Sequence, residues 1–149
     1  MTKEQYSKQY KYRQIVKAKL FIDKNFSQSI DLNQIAEQAH FSKFHFIRLF
    51  KNIYDITPNQ YLTEVRIEKA KSLLKKNKSI DEVCMLVGFE SVSTFKGLFK
   101  RETDYTLSDY KKQQSDLKLS MQTNPISHIP NCLLKIANKN KKSNFQDNS

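Results

Sequence analysis

Apolar residues recur at three- and four-residue steps over most of the first 110 positions of this 149-residue chain. That is the period of amphipathic helices and not of strands. Ile15, Ala18, Ile22 and Phe26 mark one buried stripe of a helix predicted over about 13–25. Residues 1–12 are polar apart from Tyr6, Tyr10 and Tyr12, and are expected to form a flexible lead-in. Leu32, Ile35, Ala36 and Ala39 give a second, short helix, with Asp31 as its cap and Gln34 at the third helical position. After the connection His40-Phe41, Ser42 stands as N-cap of a helix over about 43–54, and Phe46, Leu49, Phe50 and Ile53 form its core face. Thr57-Pro58-Asn59-Gln60 then opens a long helix with a capping box and a proline where its missing N–H costs nothing. Running to about Lys76, this rod spans roughly 28 Å and carries apolar residues on more than one face.

The pattern then repeats. FSKFHFIRLFKNIYDITPNQY, Phe41 to Tyr61, is echoed by FESVSTFKGLFKRETDYTLSDY, Phe89 to Tyr110. The pairs include Ser42/Ser91, Phe46/Phe95, Leu49/Leu98, Phe50/Phe99, Lys51/Lys100, Asp55/Asp104, Thr57/Thr106 and Tyr61/Tyr110, with one residue inserted in the second copy. Ahead of the echo, Ser79-Ile80-Asp81-Glu82 is another capping box, and Ile80, Val83, Cys84 and Val87 match the apolar face of the earlier short helix. Gly88-Phe89 makes the turn, with Gly88 suited to a left-handed backbone. Thr106 caps a final helix, Leu107 to about Gln114. Two short helices joined by a tight turn, twice over, predict an all-α fold of two helix-turn-helix subdomains on a long central helix, about seven helices in all. The domain falls at 13–114, and 115–149 is a tail, partly disordered, whose end is rich in Asn and Lys. Within it, Ile126, Ile129, Leu133, Leu134 and Ile136 fit either a docked helix or a binding segment for another protein, and the sequence does not choose.

One feature of the 43–54 helix does not fit a merely solvated surface. Opposite its core face stand Lys43, Phe44, Ile47, Arg48 and Lys51, and two of these are large and apolar. The matching face of the 92–103 helix reads Val92, Ser93, Lys96, Gly97 and Lys100. In a helix-turn-helix unit the second helix lies in the major groove with such residues against base edges. Arginine donates two parallel bonds to guanine, and Phe or Ile meets a thymine methyl. Lysines, with the amides of helix ends capped by Ser42 and Ser91, suit phosphate oxygens. Phe44 divides evenly between groove contact and a lid over the edge of the core, whereas Ile47 and Arg48 favour the groove. The net charge of +11, from 26 basic and 15 acidic residues, agrees with a polyanionic partner, and most of the excess lies in the repeat-bearing region.

At this point the chain resembles the DNA-binding domain of AraC/XylS-family transcription regulators. The residues that carry the likeness are IAEQAHFSKFHFIRLFKNIYDITPNQYLTEVRIEKAKSLL and SIDEVCMLVGFESVSTFKGLFKRETDYTLSDYK, covering roughly 15–112. The resemblance implies sequence-specific binding to double-stranded DNA and control of transcription through RNA polymerase, as an activator. The family's DNA-facing positions fall on Phe44, Ile47 and Arg48, then on Val92, Ser93, Lys96 and Gly97. By its length the chain is similar to the short, single-domain members, expected in the cytoplasm and as a monomer on DNA. Four residues, in three kinds of departure, differ from the family pattern. Gly97 stands where a long donor is common, Asp55 and Asp104 replace a turn glycine, and Leu107 replaces a proline. The second reading helix is therefore expected to be the weaker one.

Other chemistry finds little support. Cys84 and Cys132 form no metal or redox motif, and His40, His45 and His128 lack ligand spacing, so no cofactor or metal is expected. No apolar run reaches the length of a membrane span, so no membrane partner is expected. Arg66 is expected to brace the rod through a carboxylate such as Glu37 or Glu64. Two rival classes stay in play, a non-specific architectural DNA binder and a DNA-repair transferase with Cys84 as nucleophile.

Overall fold

A computed structural model describes residues 2–123, so the tail's apolar group, Cys132 and His128 lie outside the described residues. Those residues form seven helices and no strand: α1 (Lys3–Asn25), α2 (Leu32–Gln38), α3 (Lys43–Tyr54), α4 (Pro58–Lys75), α5 (Ile80–Leu86), α6 (Val92–Thr103) and α7 (Leu107–Thr123). The all-α expectation is met, and α2 to α6 begin and end within a residue or so of the positions read from caps and periodicity. Helix α1 starts ten residues earlier than expected. What was read as a lead-in is ordered helix, because Thr2 Oγ1 accepts from Gln5 N at 3.3 Å while Gln5 Oε1 accepts from Thr2 N at 2.9 Å. This Thr-x-x-Gln box was present in the sequence, but no buried stripe accompanies it there, since Tyr6, Tyr10 and Tyr12 are all exposed.

Met1–Lys111 form one compact unit with two cores. Ile15, Ala18, Ile22, Ile35, Ala36, Ala39, Phe46, Phe50 and Leu62 make the first, drawn from α1 to the start of α4. Ile67, Ala70, Leu74, Val83, Cys84, Val87, Phe89, Phe95, Phe99, Leu107 and Tyr110 make the second. Helix α4 thus serves both cores, Leu62 facing one and Ile67, Ala70 and Leu74 the other, which explains the apolar residues on several of its faces. Its 18 residues span about 27 Å. Leu49 and Ile53 pack against the first core but are only partly buried. The outer turns of α7, from Lys112, belong to a second unit and carry the exposed Leu117, Leu119 and Met121.

Both cores are built on the same aromatic ladder. Phe46 meets Phe50 edge-on at 5.6 Å between centroids, and Phe95 meets Phe99 edge-on at 5.9 Å. Each pair adds about 0.5–1.5 kcal/mol beyond the burial of its rings. At the mouth of the first core, Asp23 accepts from Tyr61 Oη at 2.6 Å and from Lys19 Nζ at 2.9 Å, and the ammonium sits 5.0 Å over the Tyr61 ring. Tyr61 first and Asp23 second hold the Lys19 ammonium well above the usual lysine range. Burial, helped by Asp23, pushes the Tyr61 phenol up as well.

Candidate nucleic-acid interface

Helix α3 is held by its buried face. With Phe46 and Phe50 at zero exposure, the turn geometry leaves Lys43, Phe44, Arg48 and Lys51 facing water. Phe44 is 80% exposed, so it is no lid on the core. Ile47 is half-buried at the margin. Helix α6 repeats the arrangement around Phe95 and Phe99, leaving Ser93, Lys96, Gly97 and Lys100 exposed. Val92 is a partial exception, since it packs against the second core and offers only part of its surface.

Among the described residues, no carboxylate pairs with the cations on these faces. The ion pairs among the described residues join Lys19 to Asp23, Lys71 to Glu68, Lys78 to Glu82 and Arg101 to Glu102. None of them engages Lys43, Arg48, Lys51, Lys96 or Lys100, all five of which are exposed. The cations on this face are well solvated, but the phenyl ring of Phe44 is held in water, and nothing among the described residues covers it.

Caps and turns set the angle of each helix. Ser42 and Ser91 both occupy the N-cap in extended backbone, yet only the Ser91 hydroxyl caps, accepting from Thr94 N at 3.1 Å. The Ser42 side chain makes no such bond. Both α3 and α6 end on an aspartate in the left-handed region, Asp55 at φ 62° and Asp104 at φ 63°, with their amides donating to Lys51 O and Lys100 O at 2.8 Å. Aspartate thus takes a left-handed turn position that glycine occupies at least cost. The turns before the reading helices also correspond: Phe41 N donates to Ala36 O, and Phe89 N to Cys84 O. Gly88 takes φ 84°, as read from the sequence, and His40 takes φ 56° at the matching place. The repeat alignment was the signal that could have identified His40.

A joint whose partners sequence reasoning misplaced ties the two halves together. Arg66 on α4 does not pair with Glu37 or Glu64. Its Nε donates to Phe26 O at 2.7 Å and its Nη2 to Gln28 O at 2.9 Å, both in the loop after α1. The guanidinium also lies 5.5 Å from the centroid of the Phe89 ring, which belongs to the second core. Burial draws the Arg66 pKa down, with Glu90 opposing, and the two carbonyls replace the lost water. Beside it, Gly88 faces the same loop so closely that an added Cβ would stand 2.8 Å from Phe26 O and from Ser27 C and O. A carboxylate partner was the obvious guess because charge is visible in a sequence, whereas the carbonyls of a loop forty residues away are not.

Cys84 is 3% exposed, its Sγ donates to Phe89 O at 3.6 Å, and burial, with Asp81 adding to it, raises the thiol above its usual range. That environment disfavours the thiolate a nucleophile needs. Among the described residues, no cluster of His, Cys, Asp or Glu has the spacing to hold a metal, and no helix is long and apolar enough to cross a membrane.

Comparison with known proteins follows these lines. A family model described as a helix-turn-helix domain matches residues 35–113. The bifunctional transcriptional activator/DNA repair enzyme AdaA of Bacillus subtilis is 36% identical over 93 residues, which is 62% of this chain and 44% of AdaA. The chain therefore spans less than half of that relative. Among solved structures, the C-terminal domain of AraT, a response regulator from Geobacillus stearothermophilus, aligns with a TM-score of 0.65 at 28% identity, covering 67% of this chain and 84% of that one. The DNA-binding domain of AdpA, a global transcriptional factor solved in complex with a target DNA, has the same fold, with a TM-score of 0.64 at 23% identity over 75% and 96% of the two chains.

Proposed function

Since the chain belongs to the AraC-type helix-turn-helix family of DNA-binding transcription regulators, we propose that it recognises a specific site by laying the outer faces of α3 and α6 in successive major grooves. The observation that carries this reading is Phe44, 80% exposed on a face it shares with Arg48, Lys43 and Lys51, none of which has an ion-pair partner among the described residues. Phosphate binding alone has no use for a phenyl ring, whereas a base edge with a thymine methyl does. Arg48 donates to a guanine, Phe44 and Ile47 meet apolar base edges, and Lys43 and Lys51 hold phosphates, with Ser42 at the same helix end. On α6, Ser93 and part of Val92 face the bases beside Gly97, Lys96 and Lys100 take phosphates, and Ser91 caps the start. The α4 rod, about 27 Å long, compares with the ~34–36 Å between major grooves on one side of the duplex.

Action as an activator through RNA polymerase, as a monomer and in the cytoplasm, completes the proposal. An architectural, sequence-blind role is the alternative, and the apolar reading face argues against it. A repair role like that in the name of AdaA does not extend to Cys84, whose thiol is buried and hydrogen-bonded.

Selection of binding sites from random DNA, followed by quantitative gel shifts at fixed salt, tests the proposal. The Arg48→Ala variant should lose ~1–3 kcal/mol on the selected site and relax one base position. Unchanged affinity and unchanged selected sequence would place the reading face elsewhere. Equal competition by random DNA would favour the architectural role.

A further inference from the structure

The two glycines of this chain behave in opposite ways. Gly88 is required from within, by its positive φ and by the backbone pressed against it. Gly97 is not. It sits in the middle of α6, it is exposed, and a Cβ built on it meets nothing within 4 Å. Glycine in a helix interior costs ~1 kcal/mol relative to alanine, and no internal packing here offsets that cost. A residue that weakens its own helix for no internal reason points to a requirement imposed from outside.

The surface around Gly97 has a shape that fits such a requirement. A concavity of about 460 Å³ is lined by Lys96, Gly97, Lys100, Thr106, Leu107 and Ser108, between the reading face of α6 and the start of α7. Neither lysine has an ion-pair partner among the described residues. In the first half the matching position is Arg48, an exposed residue with a long side chain. The α7 end of the concavity is not suited to an anion: Thr106 Oγ1 donates to Asp109 Oδ2 at 2.6 Å and accepts from Asp109 N at 3.1 Å, fixing a carboxylate in the first turn.

We propose that the Gly97 concavity is a steric contact surface for duplex DNA, in which an uncharged edge of the duplex packs against the bare α6 backbone while Lys96 and Lys100 hold the flanking phosphates. It rests on the DNA-binding reading above and deepens it. The second half then discriminates by closeness of fit, and the first by donated hydrogen bonds. A side chain at position 97 holds the helix away from the duplex and weakens both lysine contacts.

The experiment pairs thermal melting with affinity for the site that the wild-type chain selects from random DNA. For Gly97→Ala the expected result is a melting temperature about 2–5 °C higher, together with ~10-fold weaker binding. For Gly97→Arg the loss of affinity is larger still. The melts show that both variants are folded, so weaker binding is not a folding defect. Affinity of Gly97→Ala equal to or above wild type overturns the inference. So does tighter binding by Gly97→Arg, which would mean that position 97 simply lacks a reader. A wild-type chain that prefers no sequence over random DNA overturns the underlying reading and this inference with it, whereas intact selectivity with an unaffected Gly97→Ala overturns this inference alone.

Discussion

The two halves of this domain repeat one core design and differ at its edges. Phe46–Phe50 and Phe95–Phe99 form the same edge-on ladder, and Asp55 and Asp104 end their helices with the same left-handed turn. Outside that frame several matched positions have taken different tasks. His40 and Gly88 make equivalent turns, but only the second is pressed by a neighbouring loop. Phe41 stacks on the half-exposed His45 ring at 5.1 Å, while Phe89 stacks on the buried Phe95 at the same distance. Ser91 caps its helix with a hydrogen bond that Ser42 does not make. An exposed Arg48 stands at the position where Gly97 lines a hollow. Packing therefore fixes what lies inside a repeat, whereas each copy's neighbours and ligands fix what lies outside it.

The sharpest way to break this comparison is at the turns. Gly88→Ala should destabilise the domain by about 3 kcal/mol or more, since a Cβ meets three backbone atoms at 2.8 Å and the positive φ adds strain. His40→Gly, at the matching place, should stabilise it by up to ~1 kcal/mol. Urea unfolding of the two variants measures both, and equal effects would mean that the turns are equivalent after all. Next in size, Arg66→Ala should cost about 2–3 kcal/mol, because Phe26 O and Gln28 O lose a charged donor. Arg66→Lys should recover only part of that, having one ammonium in place of a fork.

Smaller effects separate the two serines. Ser91→Ala should lose ~1 kcal/mol of stability, and Ser42→Ala close to none. If Ser42 serves DNA, its variant should still bind the selected site more weakly at unchanged melting temperature. The smallest effect is the pH dependence that the Lys19–Tyr61 pair gives the first half. Lys19 and Tyr61 both have folded pKa values above their ordinary 10.5 and 10.0. Each favours its protonated form in the fold, so their contribution is complete below about pH 10 and is lost as pH rises through the folded values. Thermal melts should therefore fall more steeply with alkaline pH in the wild type than in Tyr61→Phe, and parallel profiles would remove this pair from the stability of the domain.

Local signals made most of the fold legible in the sequence. Capping boxes at Asp31 and Thr57, the Ser79 and Ser91 caps, the Phe46/Phe50 spacing and the repeat itself located five helices to within a residue or so. The candidate site was legible for a related reason: a face of Lys43, Phe44, Arg48 and Lys51 contradicts its own exposure, and that contradiction can be read without coordinates. Long-range and purely solvated features were not legible. The outer turns of α1 bury nothing and so leave no apolar period, and α7 likewise continues past Gln114 on exposed residues. Arg66 was correctly read as a brace, but its partners are main-chain atoms, which look alike at every position of a sequence. His45, by contrast, resolved into a ring stacked on Phe41, a placement that only geometry provides.

The Arg66 joint has a consequence for how such domains tolerate change and recombination. On one side it consists of the carbonyls of Phe26 and Gln28, groups that any residue supplies. On the other it consists of two specified residues, Arg66 and Gly88. The loop after α1 can therefore drift in sequence so long as its backbone path is kept, while the opposite side has almost no freedom. A chimera that grafts a foreign second half onto this first half should keep its register if the donor brings that glycine and α4 retains its arginine, whatever residues line the loop.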